Sequence, residues 1–120
     1  IKNLQKVADK LLLSGPTCVI IKRGANGCML STKKYRINIP AYDKVIVRDP
    51  TGAGDTFAGG LTGFLATNGK DQLIDAAIHG TATASFTVSG IGVKELLKAE
   101  RKEVDKRFEA IKNKMEILVQ

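Results

Sequence analysis

Apolar residues recur along this chain with two different periods, and each change of period marks an element. Leu4, Val7, Ala8, Leu11 and Leu12 fall at helical spacing, which predicts an amphipathic helix at the start. Ser14-Gly15-Pro16 ends it. Thr17 to Lys22 is then a short β-branched run, the composition of a buried strand, and Gly24-Ala25-Asn26-Gly27 reads as a turn into a second strand over Cys28 to Ser31. Two more short strands are predicted at Tyr35 to Ile39 and Lys44 to Val47, with Pro40 between them. The helical period returns at Phe57, Leu61, Phe64 and Leu65. It returns again from Asp71 through Leu73, Ile74, Ala77, Ile78 and Phe86, ending at Ser89-Gly90-Ile91-Gly92. Val93, Leu97, Val104, Phe108, Ile111, Met115 and Leu118 continue as an apolar stripe, predicting one or two covering helices. No repeat or low-complexity linker interrupts this order, so residues 1–120 read as one α/β unit, a sheet flanked by helices.

The helix at Phe57 has an unusual beginning. The run Asp49-Pro50-Thr51-Gly52-Ala53-Gly54-Asp55-Thr56-Phe57-Ala58-Gly59-Gly60 passes from a non-helical turn through small residues to a carboxylate. Gly52 and Gly54 allow close approach of a ligand, and the unpaired N–H groups of the first turn point at it from the positive end of the helix dipole. Its natural occupant is a phosphate. An acid in the same turn opposes simple phosphate storage, since two anions repel, but suits a base that takes a proton from a nucleophile attacking that phosphate. Asp55 is therefore the candidate base. A dinucleotide fingerprint would need glycine where Phe57 stands, and no glycine is followed by the Lys-Ser/Thr pair of a Walker A loop.

Composition narrows the chemistry. One histidine, His79, excludes a His-based metal cluster or a Ser-His-Asp triad within this chain. Cys18 and Cys28 fall on adjacent predicted strands where they could face each other, but two cysteines make no secreted disulfide framework and fit no zinc spacing. Buried reduced thiols are expected. The formal net charge of +7 raises nucleic-acid binding, yet basic and acidic residues interleave in the tail as on a solvated helix. The excess lies in Lys22, Arg23, Lys33, Lys34, Arg36, Lys44 and Arg48 against Asp43 alone, flanking the phosphate motif, where it could steer a polyanionic nucleotide. Lys33 and Lys34 fit equally well as edge-protecting turn lysines. Aromatic residues make up 5% of the chain and none is Trp, so no stacking platform for single strands is evident. No apolar stretch approaches a membrane span, and the expected compartment is the cytoplasm.

The segment Asp49 to Gly60 resembles the second signature of the PfkB (ribokinase-like) family of sugar and nucleoside kinases, Asp-Thr-x-Gly-Ala-Gly-Asp, with Pro50 at the second position. Ile20-Ile21-Lys22-Arg23-Gly24-Ala25-Asn26-Gly27 resembles the family's strand and polar-x-Gly-x-x-Gly turn at the ATP site, with Lys22 where Thr is frequent. The resemblance implies the C-terminal part of a ribokinase-like, Rossmann-type α/β/α sandwich with a parallel-rich sheet. It implies that the N-terminal half and the lid lie outside this chain, as the start at Ile1 inside a predicted helix also suggests. The implied activity is transfer of the γ-phosphoryl group of ATP to a sugar or nucleoside hydroxyl, with Asp55 as base and Gly52, Ala53 and Gly54 with Asp55 as anion hole. Lys22, Gly24, Gly27, His79, Gly80, Thr83 and Gly90 are implied nucleotide contacts, His79 meeting the adenine. Mg²⁺ would screen the phosphates, and a monovalent cation, K⁺, would sit at Asp49 and Thr51, with backbone near Phe86 and Ser89 completing its ligands. A homodimer would form through the lid, and the chain alone is expected to be inactive.

Two other readings of the residues remain: a nucleotide-binding module without catalysis, and a basic nucleic-acid-binding domain. The resemblance favours neither, and leaves sugar and nucleoside acceptors open.

Overall fold

The computed structural model describes residues 2–90 and 97–119, the last of these by its backbone. Helix α1 spans Lys2–Leu13 and turns Ala8 and Leu12 inward. It stops where Ser14 folds back, its hydroxyl donating to the Leu11 carbonyl at 2.7 Å, and Gly15 takes φ +132°, which a side chain would resist. Strands β1 (Cys18–Lys22), β2 (Cys28–Thr32) and β3 (Arg36–Ile39) follow, and β4 (Glu116–Val119) returns from the C-terminal end. They form one sheet in the order β1-β2-β3-β4.

Side chains alternate across this sheet, so each strand serves two cores. Val19 and Met29 meet Ala8 and Leu12 of α1 on one face. Cys28, Leu30, Ile37 and Ile39 meet the other layer, Ala77, Ile78, Ala82 and Ile111. The first three of these belong to α3 (Leu73–Val88) and the last to α4 (Arg101–Lys112). Buried Arg36 ties the first layer to the sheet by an ion pair with Asp9 and a hydrogen bond from Nε to Ser31 Oγ at 2.9 Å.

Helix α2 (Ala53–Asn68) lies outside the sheet, against α3. Small residues set that contact: a methyl group on Gly80 would stand 2.8 Å from the Phe57 carbonyl oxygen, and Gly60 faces Thr83 in the same way. None of the residues of α2 is fully buried, and Gly59 and Gly63 have open space where a side chain would be.

Three expectations are corrected. Every strand pairing among the described residues is antiparallel, so the parallel-rich sheet is not present in this part of the molecule. Lys44 to Val47 forms no strand; it belongs to an irregular connection between β3 and α2. Met115 and Leu118 do not continue the last helix, because Asn113 caps α4 and the chain turns at Lys114 into β4, where the unfilled edge of β3 supplies hydrogen-bond partners that a helix would not use. Leu118 then packs on the α1 side of the sheet. Cys18 pairs with Thr32 and Cys28 with Lys22, so the two thiols do not face each other, and both are free. Burial pushes the Cys28 thiol up to about 11, which leaves it protonated and inert at neutral pH. Ile91, Gly92 and Val93 lie outside the described residues.

Candidate active site

Four segments enclose a cavity of about 660 Å³: the β1–β2 turn, the irregular stretch 41–50, the start of α2 and one side of α3. Its end at the start of α2 can be built bond by bond. Asp49 Oδ1 accepts the Thr51 N–H at 2.9 Å, which closes a tight side-chain turn, and hydrogen bonds from Thr51 hold the Asp49 carboxyl below its ordinary range. Gly52 then adopts the left-handed conformation, φ +83°, as helix cap. Its carbonyl accepts both the backbone N–H and the hydroxyl of Thr56 at 3.0 Å, and Thr56 Oγ1 meets Thr87 Oγ1 of α3 at 2.9 Å. The Arg48 and Asp49 N–H groups both donate to the Val88 carbonyl, at 2.8 and 3.3 Å. The end of α3 therefore holds the start of α2 in place.

The N–H of Ala53, expected to face the phosphate, donates instead to the Pro50 carbonyl at 3.2 Å. Among the described residues, the Gly52, Gly54 and Asp55 N–H groups have no protein acceptor, so they are left to bind an anion. Beside them stands Lys22: a methyl group on Gly54 would lie 2.9 Å from its Nζ. An ammonium at the positive end of a helix dipole is repelled unless an anion sits between, and the pairing of the two makes that anion the natural occupant. Asp55 sits exposed in the same first turn and makes no ion pair or side-chain hydrogen bond among the described residues. Beyond the start of α2 the cavity is mostly apolar, walled by Tyr42, Val45, Val47, Phe57 and Val88.

Lys22, Gly24, Gly27, Ala53 and Gly54 thus line one cavity. Gly52 and Asp55 adjoin it through the cap, and Asp49 and Thr51 form the turn before it. The Phe86 carbonyl, an expected cation ligand, accepts the Ser89 hydroxyl at 3.0 Å. Among the described residues no three of His, Cys, Asp and Glu gather as a metal-binding group.

His79, Gly80 and Thr83 are placed elsewhere. They occupy the sides of α3 turned to α2 and α4, where the His79 ring lies 5.4 Å from that of Phe64, Gly80 admits Phe57, and Thr83 donates to the Gly80 carbonyl at 3.0 Å. Gly90 is buried past the end of α3 and does not line the cavity. The α3 residues that do are Thr81, Ala84, Ser85 and Val88. Their helical spacing from one another is the signal that could have found them. Burial and the Arg101 guanidinium hold the His79 pKa below its ordinary value, with Asp105 opposing. Since the folded-state value is the lower one, neutral His79 contributes stability above about pH 6.5 that is lost as pH falls through the folded value. The thermal midpoint should fall between pH 7 and pH 5, and His79→Gln should reduce that fall; equal falls in parent and variant would show that His79 is not its source.

The sequence profile of the pfkB family carbohydrate kinases matches residues 1–100. The chain belongs to the PfkB family. It is 36% identical over 90 residues to a 5-dehydro-2-deoxygluconokinase of Photobacterium profundum, covering 75% of this chain and 27% of that protein. It is 37% identical over 89 residues to a nucleoside kinase of Methanocaldococcus jannaschii, covering 73% and 28%. A crystal structure of ribokinase from Thermotoga maritima superposes with a TM-score of 0.75 at 32% identity, over 88% of this chain and 34% of that one. This PfkB chain therefore has the ribokinase-like α/β fold and spans 27% to 34% of the length of those relatives. No helix among its described residues is long and apolar enough to cross a membrane.

Proposed function

We propose that this chain is the ATP-binding, C-terminal part of a kinase that moves the γ-phosphoryl group of ATP to an alcohol hydroxyl of a sugar or nucleoside. The observation that carries the reading is Lys22 Nζ standing against Gly54 in the first turn of α2, beside N–H groups that have no acceptor among the described residues, at one end of a cavity with apolar walls. That shape suits an apolar, aromatic base joined to an anionic tail.

In this reading the Gly54 and Asp55 N–H groups and the Lys22 ammonium hold the phosphoryl oxygens, where negative charge must be stabilised in the transition state. The acceptor oxygen bonds to the γ-phosphorus, the bond from that phosphorus to the bridging oxygen breaks, and ADP leaves with the electron pair. Asp55 takes the hydroxyl proton. Gly52 contributes through its left-handed φ, which aims the first turn at the phosphate.

The acids near the cavity do not fit a protein-held Mg²⁺: among the described residues Asp43 is the one carboxylate that lines it, and that is paired with Lys114 at 3.2 Å. Asp49 and the Thr51 carbonyl are hard oxygen donors, the former held anionic by its turn, and fit a monovalent cation. Such an ion would offset charge beside the anion hole.

Radiolabelled ATP given to the full-length protein with a panel of free sugars and nucleosides tests the reading directly. Transfer to at least one hydroxyl is expected, with no competition from a double-stranded oligonucleotide. ATP binding without transfer to any acceptor would leave a nucleotide-binding module and refute the kinase.

Gly54→Val tests the anion hole separately. A branched side chain there blocks close approach of phosphate, so ATP affinity and turnover should both fall about tenfold or more. Stability should hold, because Gly54 lies within a helix and its new side chain would meet only the flexible end of Lys22. Unchanged ATP affinity in a folded variant would remove Gly54 from the site.

A further inference from the structure

The helix that closes the sheet layer lies beyond the stretch matched by the family profile, which ends at residue 100. One of its residues reaches the cavity wall. Arg107 on α4 is nearly buried, its side chain 13% exposed. Its guanidinium carbon lies 3.8 Å from the ring centroid of Phe86 and 4.8 Å from that of Tyr42. Its Nη1 donates to Ser85 Oγ at 2.8 Å and its Nε to Glu103 Oε1 at 3.3 Å. Tyr42 and Ser85 line the cavity, one from the irregular stretch 41–50 and the other from α3.

We propose that Arg107 is a positioning residue for the nucleotide, joining the Tyr42 wall of the cavity to the Ser85 wall. The proposal rests on the kinase reading above. Backbone hydrogen bonds among the described residues tie this stretch to α3 only at Arg48 and Asp49, through the Val88 carbonyl, so the position of Tyr42 at its other end depends on side-chain contacts. Arg107 supplies one to each side. The planar guanidinium stacks on aromatic rings while donating in its own plane, and stacking of this kind is strongest where water is excluded. The exposed ion pair of Lys114 with Asp43 is a weaker second tie between the same stretch and the C-terminal segment. Glu103 orients the guanidinium and balances its charge. Lysine in the same place keeps the charge and loses both the flat stack and the forked donors.

Arg107→Lys and Arg107→Ala in the full-length protein test this, with ATP affinity, both KM values, kcat and thermal stability measured together. ATP should bind about tenfold more weakly in Arg107→Lys and weaker still in Arg107→Ala. The KM for the acceptor and kcat at saturating ATP should stay within about twofold of the parent. Wild-type ATP affinity in both folded variants would overturn the proposal, as would equal losses for ATP and acceptor, which would mark Arg107 as a general support of the fold. A parent protein that binds no nucleotide would refute the kinase reading and this inference with it, whereas a parent that binds ATP and variants that bind it equally refute the inference alone.

Discussion

Asp55→Asn in the full-length protein should lower kcat by about 10²- to 10⁴-fold, the usual loss on removing a general base. ATP affinity should change by less than about threefold, since the backbone N–H of residue 55 remains available to phosphate and Asn removes, if anything, a repulsion between anions. Folding should be unaffected, because the Asp55 side chain is exposed and holds no ion pair or hydrogen bond among the described residues. The separation of rate from binding is the useful part of this result. Transient kinetics with labelled ATP and the preferred acceptor measures both, and a variant that turns over within about threefold of the parent would take the base assignment away from Asp55.

Gly27→Ala should destabilise the protein by about 3 kcal/mol or more, the sum of a strained backbone and an overpacked one. Gly27 has φ +83° and ψ −136°, a conformation closed to side chains. An added Cβ would overlap the Ile39 carbonyl oxygen and lie 2.7 Å from Ala41 N and Pro40 C, all backbone atoms that cannot turn aside. These atoms lead directly into the stretch that walls the cavity, so the folded fraction should also lose ATP affinity. Gly24 provides the comparison. It too has positive φ, +57°, but nothing stands within 4 Å of its missing Cβ, so Gly24→Ala should cost only about 1–2 kcal/mol. Urea unfolding of the two variants measures the difference, and equal losses would mean that β3 moves aside to admit the new methyl group.

The glycines of the β1–β2 turn illustrate how much was legible beforehand. Their role as turn glycines follows from local sterics and was readable without the fold, whereas the crowding of Gly27 by Ile39 comes from strand pairing across the sheet. The start of α2 was legible in more detail. An Asp-Pro-Thr turn and a carboxylate in the first helical turn are local consequences of residues 49–55, and the bonds of the Asp49 carboxylate and the Gly52 carbonyl stay within residues 49–56. Even there, the Pro50 carbonyl takes the Ala53 N–H and leaves the Gly52, Gly54 and Asp55 N–H groups without an acceptor among the described residues. His79 marks the opposite case. A histidine on an apolar helix can face a ligand or a neighbour, and only the rotation of α3 against α2 turns it to Phe64 while Thr81, Ser85 and Val88 face the cavity.

By itself, then, the sequence determined the helices with a sustained period, the strands β1 to β3, the turn that opens α2 and membership of the PfkB family, because each depends on residues close together in the chain. The tertiary structure alone decided the rest. Lys44 to Val47 is apolar enough for a strand but lends Val45 and Val47 to a cavity wall, and the helical stripe that Met115 and Leu118 continue in composition gives way to an edge strand, Glu116–Val119. Short apolar segments carry no record of what they will pack against, and their conformation follows whichever distant backbone needs a partner. The same reason placed Arg107 beside the cavity: nothing in residues 101–112 points to Tyr42 or Ser85, and the meeting exists only because α4 packs on α3 beneath the sheet.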